Sequence, residues 1–218
     1  MKDIKDSKDI KDLKDSKSRP SRLESQDSSL ESQDSSLKSQ DSGLKTQVSR
    51  LKALFMRRVL FLCTGNCVRS QMAEALLRYR GAERFDAFSA GSHPAGFVHP
   101  MALQVLSELG IPTQALRSKP WTEFQEHQFD AVITLCGSAR EEVCVHWPFA
   151  EEGSLPVRAH WEFEDPSQSK LLGDRERLEE FRRIRNAIRE SVERLALAPN
   201  EVLKDDEAFR ALIAEIGG

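Results

Sequence analysis

The 218-residue sequence predicts an α/β fold, a four-stranded parallel sheet with helices on both faces, preceded by a disordered tail. Three observations lead there. From Met56 onward, short apolar runs alternate with stretches of helical periodicity, the pattern of strands joined by helical crossovers. Two of those runs end in a cysteine, Cys63 and Cys136, and parallel sheets gather their sites at the carboxyl ends of strands. The first 55 residues have a different composition altogether and carry no pattern able to build a core.

Taken in order, Val59-Leu60-Phe61-Leu62 is an apolar run of the kind a buried strand uses, and it stops at Cys63. From Ser70 the pattern turns helical, with Met72, Leu76 and Leu77 on one face and Gly81 as the stop. Residues 85–89 read as a second strand, ending in Ser89-Ala90-Gly91. Pro100 opens a helix over 101–109 that Gly110 closes, and 121–127 reads as a shorter one. The third strand covers 129–135 and ends in Cys136; a shorter fourth covers 156–160. A long amphipathic helix starts at Asp174, with Leu178, Phe181, Ile184, Ile188, Val192 and Leu195 on one face. Residues 207–216 form the last helix.

The tail, 1–55, precedes a domain over 56–218. It opens with a Lys-Asp tract, and Leu23, Leu30, Leu37, Leu44 and Leu51 then recur every seven residues. A leucine zipper is excluded by the complementary seam, where Asp27, Asp34 and Asp41 stand before Val48. A coiled coil needs apolar residues at both core positions, and three buried aspartates would destroy it. The tail is therefore expected to be disordered, or to be translated sequence upstream of a natural start at Met56-Arg57-Arg58.

Composition narrows the function. Lys+Arg number 32 against Asp+Glu 35, a net charge of −3, which suggests neither a nucleic-acid nor a membrane partner. No apolar run has the length of a membrane span, and no signal-peptide pattern opens the chain. The four cysteines of a chain expected to be cytoplasmic read as reactive or metal-binding rather than as a disulfide framework, and a monomer is expected.

The chemistry centres on the loop Thr64, Gly65, Asn66, Cys67, Val68, Arg69 and Ser70, between the first strand and the first helix. A loop over a helix N-terminus points backbone N–H groups at a common centre, where a tetrahedral oxyanion fits. Arg69 can grip two oxygens of such an anion, Gly65 and Asn66 tolerate the positive φ of a tight turn, and Ser70 can donate to the Cys63 sulfur. The same field is expected to favour the Cys63 thiolate, a nucleophile. A buried cysteine ending a core strand is common, but Cys-x5-Arg-Ser between strand and helix is poorly explained that way.

The stretches CTGNCVRSQMAEALL (63–77), FSAGS (88–92), SKPW (118–121) and HWEFEDP (160–166) resemble the low-molecular-weight phosphatase fold. They are more similar to its arsenate-reductase branch, the kind recharged by thioredoxin. TLCGSAREEVC separates the two, because it places Cys136 and Cys144 where such reductases carry a redox pair. The single tyrosine, Tyr79, lies in the first helix and not after Asp165-Pro166, where the phosphatases usually place tyrosines. The resemblance implies arsenate as substrate, Cys63 as nucleophile, Asp165 as general acid on a mobile loop, and no required cofactor. Cys136 and Cys144 would then carry the disulfide to the surface for thioredoxin. Asn66, Glu74 and Ser89 match positions that help bind a potassium ion in some members, although Glu74 on its own reads as a solvated helix residue.

Three departures from the family pattern stand out. Gly137-Ser138 replaces Asp-Asn, Val145 replaces a proline, and Cys67 replaces a serine as a packing substitute or a spare thiol. Rival readings are a tyrosine phosphatase using Cys63, Arg69 and Asp165, and a redox-sensing oxyanion-binding module. A zinc site built from Cys63, Cys67, Cys136, Cys144 and His146 has poor ligand spacing, and Arg69 would repel the ion.

Overall fold

The chain folds around β1 (Arg57–Cys63), which lies inside a parallel sheet of order β2-β1-β3-β4 with β2 (Phe85–Gly91), β3 (Ala131–Thr134) and β4 (Val157–His160). The structure, a computed structural model, describes residues 56–146, 156–169 and 173–218, with side chains up to Glu141 in the first stretch. The tail, 1–55, with its leucine repeat, lies outside the described residues. The helices are α1 (Arg69–Gly81), α2 (Pro100–Ser107), α3 (Gly137–His146), α4 (Asp174–Ala196), α5 (Asn200–Lys204) and α6 (Asp206–Gly217). Single 3-10 turns stand at Trp121–Phe124 and Pro166–Gln168.

The pleat of β1 divides the core in two. Val59 and Phe61 pack with Met72 and Leu76 of α1, Phe181 and Ile188 of α4, and Phe209 and Ile213 of α6. Leu60 and Leu62, one residue out of phase, pack on the other face with Phe124, Phe129, Val132 and Phe88. All four β1 side chains are fully buried, which explains why that strand reads as a continuous apolar run. Phe88, Phe124 and Phe129 meet edge to face at 5.5–5.9 Å, so this second face is sealed by aromatic rings beside the first 3-10 turn.

The chain runs from β1 outward to β2, then returns to the other side of β1 for β3. That reversal opens a crevice at the carboxyl ends of β1 and β3, where Cys63 and Cys136 stand. Gly91, at the matching end of β2, is there for close approach: a Cβ would lie 2.6 Å from the Thr64 carbonyl oxygen. Pro100 opens α2, as its sequence predicts, and His99 Nδ1 accepts from the Met101 N–H.

Two helices are absent from the sequence reading. In α3, Ala139, Arg140 and Glu141 favour helix, but the segment lacks an apolar stripe, so periodicity gives no signal. The five-residue α5 is too short to show a period. The third strand is two residues shorter at its start and one at its end than the apolar run suggests, because Phe129 turns into the aromatic cluster.

Trp161, just past β4, is 1% exposed, tilts against Phe61 at 6.0 Å, and donates from Nε1 to the Ile213 carbonyl of α6 at 3.1 Å. Trp161→Ala should cost about 3–5 kcal/mol in urea denaturation. Trp161→Phe keeps most of the ring and strands one carbonyl, so about 1–3 kcal/mol is expected. Equal losses in the two variants would show that the hydrogen bond, and not packing, holds the C-terminal helix to the sheet.

Candidate active site

The site is built on the turn from β1 into α1. Its carbonyls point outward to donors of the surrounding chain. Thr64 O accepts from His93 N at 2.9 Å, Gly65 O from Ala95 N at 2.8 Å, and Cys67 O from His99 N at 2.9 Å. Asn66 O accepts from Gln71 Nε2 at 3.0 Å. In a planar trans peptide each outward carbonyl turns the N–H of the same plane to the opposite side, toward the loop's centre. Helix α1 has no side-chain cap, so the N–H groups of its first turn face that same centre. Asn66 takes φ +45°, alone among the described non-glycine residues, as the tight turn requires.

Cys63 ends β1 at 2% exposure with its Sγ 3.0 Å from Ser70 Oγ. Asn66 Nδ2 donates to that Ser70 oxygen at 2.8 Å, which leaves the hydroxyl proton free to point at sulfur. Burial pushes the Cys63 thiol up from its usual value; the Ser70 hydroxyl, the Ser70 backbone N–H and the Arg69 charge pull it down without prevailing. The expectation of a net lowered thiol is therefore corrected. Water is excluded from the sulfur, and Arg69 spends much of its charge elsewhere.

Arg69 Nη2 donates to Asp165 Oδ2 at 2.8 Å and Nη1 to the Phe163 carbonyl at 3.1 Å, while Nε is buried without a partner. The guanidinium thus grips the loop after β4. The other Asp165 oxygen accepts from Ser167 N at 3.0 Å and Ser167 Oγ at 2.7 Å. Arg183 of α4 pairs with the neighbouring Glu164. Asp165 is both the cap of a 3-10 turn and a partner of the oxyanion arginine, which combines the two readings its sequence allows.

Cys136 packs with Cys63 and Ala139 in a small buried cluster, and Thr64 Oγ1 lies 3.5 Å from its sulfur. It caps α3, its carbonyl accepting from Arg140 N at 3.1 Å. Cys144 belongs to the last turns of α3, and its side chain and that of His146 lie outside the described residues. Cys67 is half-buried against the main core and burial pushes its thiol up, which favours the packing role over the spare thiol. Cys63, Thr64, Gly65, Cys67, Val68, Arg69, Cys136 and Asp165 line one crevice of about 580 Å³. A hollow of similar volume along α4 is lined by Arg189, Glu190 and Glu193 and carries no nucleophile. Among the described residues, no group of three or more His, Cys, Asp or Glu is placed to hold a metal ion.

The expected potassium ligands do cluster, but they do not fit the ion. Glu74 is buried rather than solvated, and the ammonium of Lys119 lies 3.1 Å from its Oε2 and 3.4 Å from Ser89 Oγ. Lys119 lies within SKPW, and a lysine between Ser118 and Pro120 carries no sequence signal that it points inward. Ser167, Gln71 and Ser118, which donates to the Gly65 carbonyl at 3.2 Å, were equally silent, since hydroxyls and amides on loops are common.

A strand-end thiol, an N–H nest, an arginine and an aspartate in one crevice define a cysteine enzyme acting on a tetrahedral oxyanion. The chain belongs to the low molecular weight phosphotyrosine protein phosphatase family, whose profile matches residues 58–208. An arsenate reductase of Halalkalibacterium halodurans is 36% identical over 138 residues, 63% of this chain and 94% of that protein. A glutaredoxin arsenate reductase of Synechocystis sp. is 34% identical over 64% of this chain and 96% of its own length. A solved arsenate reductase in the oxidised state superposes with a TM-score of 0.52 at 32% identity, covering 65% of this chain and 97% of that one.

Two outcomes follow from the geometry. Mass-mapped alkylation of Cys63 should be slow at neutral pH and still accelerating above about pH 8.5, the ordinary thiol value. Ser70→Ala should move the profile further up, and a plateau below that pH would show a lowered thiol instead. Because an oxyanion competes with Asp165 for Arg69, Asp165→Asn should tighten phosphate binding several-fold by calorimetry, roughly the effect of removing one like charge. Unchanged or weaker binding would mean that the carboxylate does not compete.

Proposed function

We propose that the protein reduces arsenate to arsenite through a relay of Cys63, Cys136 and Cys144, recharged by thioredoxin. The observation that carries this reading is the packing of Cys136 against Cys63 beside the oxyanion loop. A phosphatase needs the nest, the arginine and the aspartate but has no use for a second thiol there. The relatives named arsenate reductase support the same reading.

Arsenate occupies the nest, and the Cys63 thiolate attacks arsenic while Asp165 protonates the departing oxygen. Cys136 then attacks the Cys63 sulfur, with the Thr64 hydroxyl within reach of the attacking thiolate. The S–S bond forms as the S–As bond breaks, and that bond's electron pair stays on arsenic, which leaves as arsenite. Two thiols have given up the two electrons that arsenic gains. Cys144 attacks Cys136, releasing the Cys63 thiolate and moving the disulfide to the outer segment.

That last exchange requires α3 to open. Eight helical residues span about 12 Å, whereas a disulfide joins Cα atoms only about 4.4–6.8 Å apart. Gly137 in the first turn weakens the helix by roughly 1 kcal/mol relative to alanine, which eases the opening. The protein is proposed to act as a monomer in the cytoplasm, where such thiols are kept reduced. No described helix is long and apolar enough to cross a membrane.

Cys63→Ser should release no arsenite. Cys136→Ser should form the Cys63 adduct without resolving it. Cys144→Ser should release a single arsenite per enzyme in rapid-quench assays and stop with Cys63 and Cys136 bridged. Sustained turnover of Cys144→Ser with thioredoxin as sole reductant would reject Cys144 as the shuttle. Efficient aryl-phosphate hydrolysis that is indifferent to Cys136 and Cys144, with no arsenate turnover, would establish the phosphatase instead.

A further inference from the structure

Beneath the oxyanion loop lies a buried polar cluster that the relay does not use. Glu74 of α1 is 1% exposed and Lys119 5% exposed. Glu74 Oε1 pairs with Arg78 Nη2 at 2.8 Å, and its Oε2 takes the Lys119 ammonium at 3.1 Å together with the Ser89 hydroxyl. The ammonium also lies 3.4 Å from Ser89 Oγ and 3.3 Å from the Arg117 carbonyl. Its surroundings are therefore a carboxylate, a hydroxyl and a carbonyl, the oxygen set that would otherwise suit a small monovalent cation.

The cluster is wired to the nucleophile. Ser89 Oγ accepts from Asn66 Nδ2 at 2.9 Å, the same amide nitrogen donates to Ser70 Oγ at 2.8 Å, and Ser70 Oγ lies 3.0 Å from Cys63 Sγ. The Lys119 backbone N–H donates to Asn66 Oδ1 at 2.8 Å and Gln71 Nε2 to the same oxygen at 2.9 Å. Two N–H donors on Oδ1 settle which way the amide faces, so Asn66 turns its NH₂ toward Ser89 and cannot serve as an oxygen ligand from there.

We infer that Lys119 is a built-in counter-cation: its ammonium takes the place of a potassium ion under the oxyanion loop and holds Asn66, making the anion-binding form of the loop independent of potassium. Charge supports this. Glu74 already faces two cations, Arg78 and Lys119, and a third would meet net positive charge. Like charges brought close together in a buried site repel strongly, because little water is present to screen them. Burial pushes the ammonium down from its usual value while Glu74 pulls it back, the balance expected of an ion whose water has been replaced by fixed oxygens. Lys119 touches no reacting atom. It is a positioning residue, acting through Ser89, Asn66 and Ser70. The inference rests on the loop's being an oxyanion site and not on arsenate being the substrate.

The test is phosphate binding by the full chain, measured by calorimetry in potassium chloride and in choline chloride at equal ionic strength. The native protein should bind phosphate equally in both salts, and its melting temperature should differ by less than about 2 °C between them. Lys119→Ala, which opens space beside Glu74, should weaken phosphate binding by about tenfold in choline and recover most of it in potassium. Tighter phosphate binding or a higher melting temperature of the native protein in potassium would overturn the inference, even if the variant fails to fold. So would full affinity of Lys119→Ala in choline, or a loss that potassium does not relieve. Arsenate turnover enters none of these readouts, so a failure of the reductase reading leaves the result interpretable.

Discussion

The side chain of Asn66 holds the functional end of this molecule together. Its backbone takes a left-handed conformation that costs a non-glycine residue free energy, and its amide recovers stability by using both ends. The carbonyl end accepts from Lys119 and Gln71, and the NH₂ end donates to Ser70 and Ser89. These contacts join the loop to α1, to β2 and to the segment that bears Lys119. Because Asn66 is fully buried, each of these bonds replaces one that water would otherwise make, and losing any would leave a buried polar atom unpaired. The donor direction at Ser70, and with it the hydroxyl aimed at Cys63, is set here.

Above that hub the electrostatics are divided between two demands. Arg69 carries the positive charge an oxyanion needs, yet it also anchors Asp165 and the Phe163 carbonyl. Ser167 and the Glu164–Arg183 pair restrain the same loop from its outer side. The aspartate is thus held near the nest by contacts that an incoming anion must partly displace. The unpartnered Nε of Arg69 is a donor that remains for the anion. Burial of Cys63 acts differently: it withholds the sulfur from solvent while the second thiol, Cys136, packs against it.

The proposed relay and the fold meet at α3. Its N-terminus follows β3 directly, so the strand that completes the crevice also delivers Cys136. Gly137 stands in its first turn, and its sequence carries no continuous apolar face, whereas α1 and α4 bury residues against the main core.

Much of this was determined by the sequence alone. Val59 to Leu62 announced the central strand because full burial on both faces leaves a continuous apolar run, and Phe181, Ile184, Ile188 and Val192 announced α4 because one buried face leaves a 3.6-residue period. Cys63, Arg69 and Ser70 were legible because strand, loop and helix N-terminus are consecutive in the chain. The match to a known family, carried by HWEFEDP and TLCGSAREEVC, then drew in Asp165 and Cys136. Only the tertiary structure decided the partners. Lys119 reaches Glu74 across 45 positions, Arg69 reaches Asp165 across 96, and Asn66 reaches Ser89 across 23. It likewise decided the sign of the shift at Cys63. Desolvation and hydrogen bonding oppose each other at that sulfur, and which prevails depends on how many groups the fold brings around it, a sum over long-range contacts that no local pattern encodes.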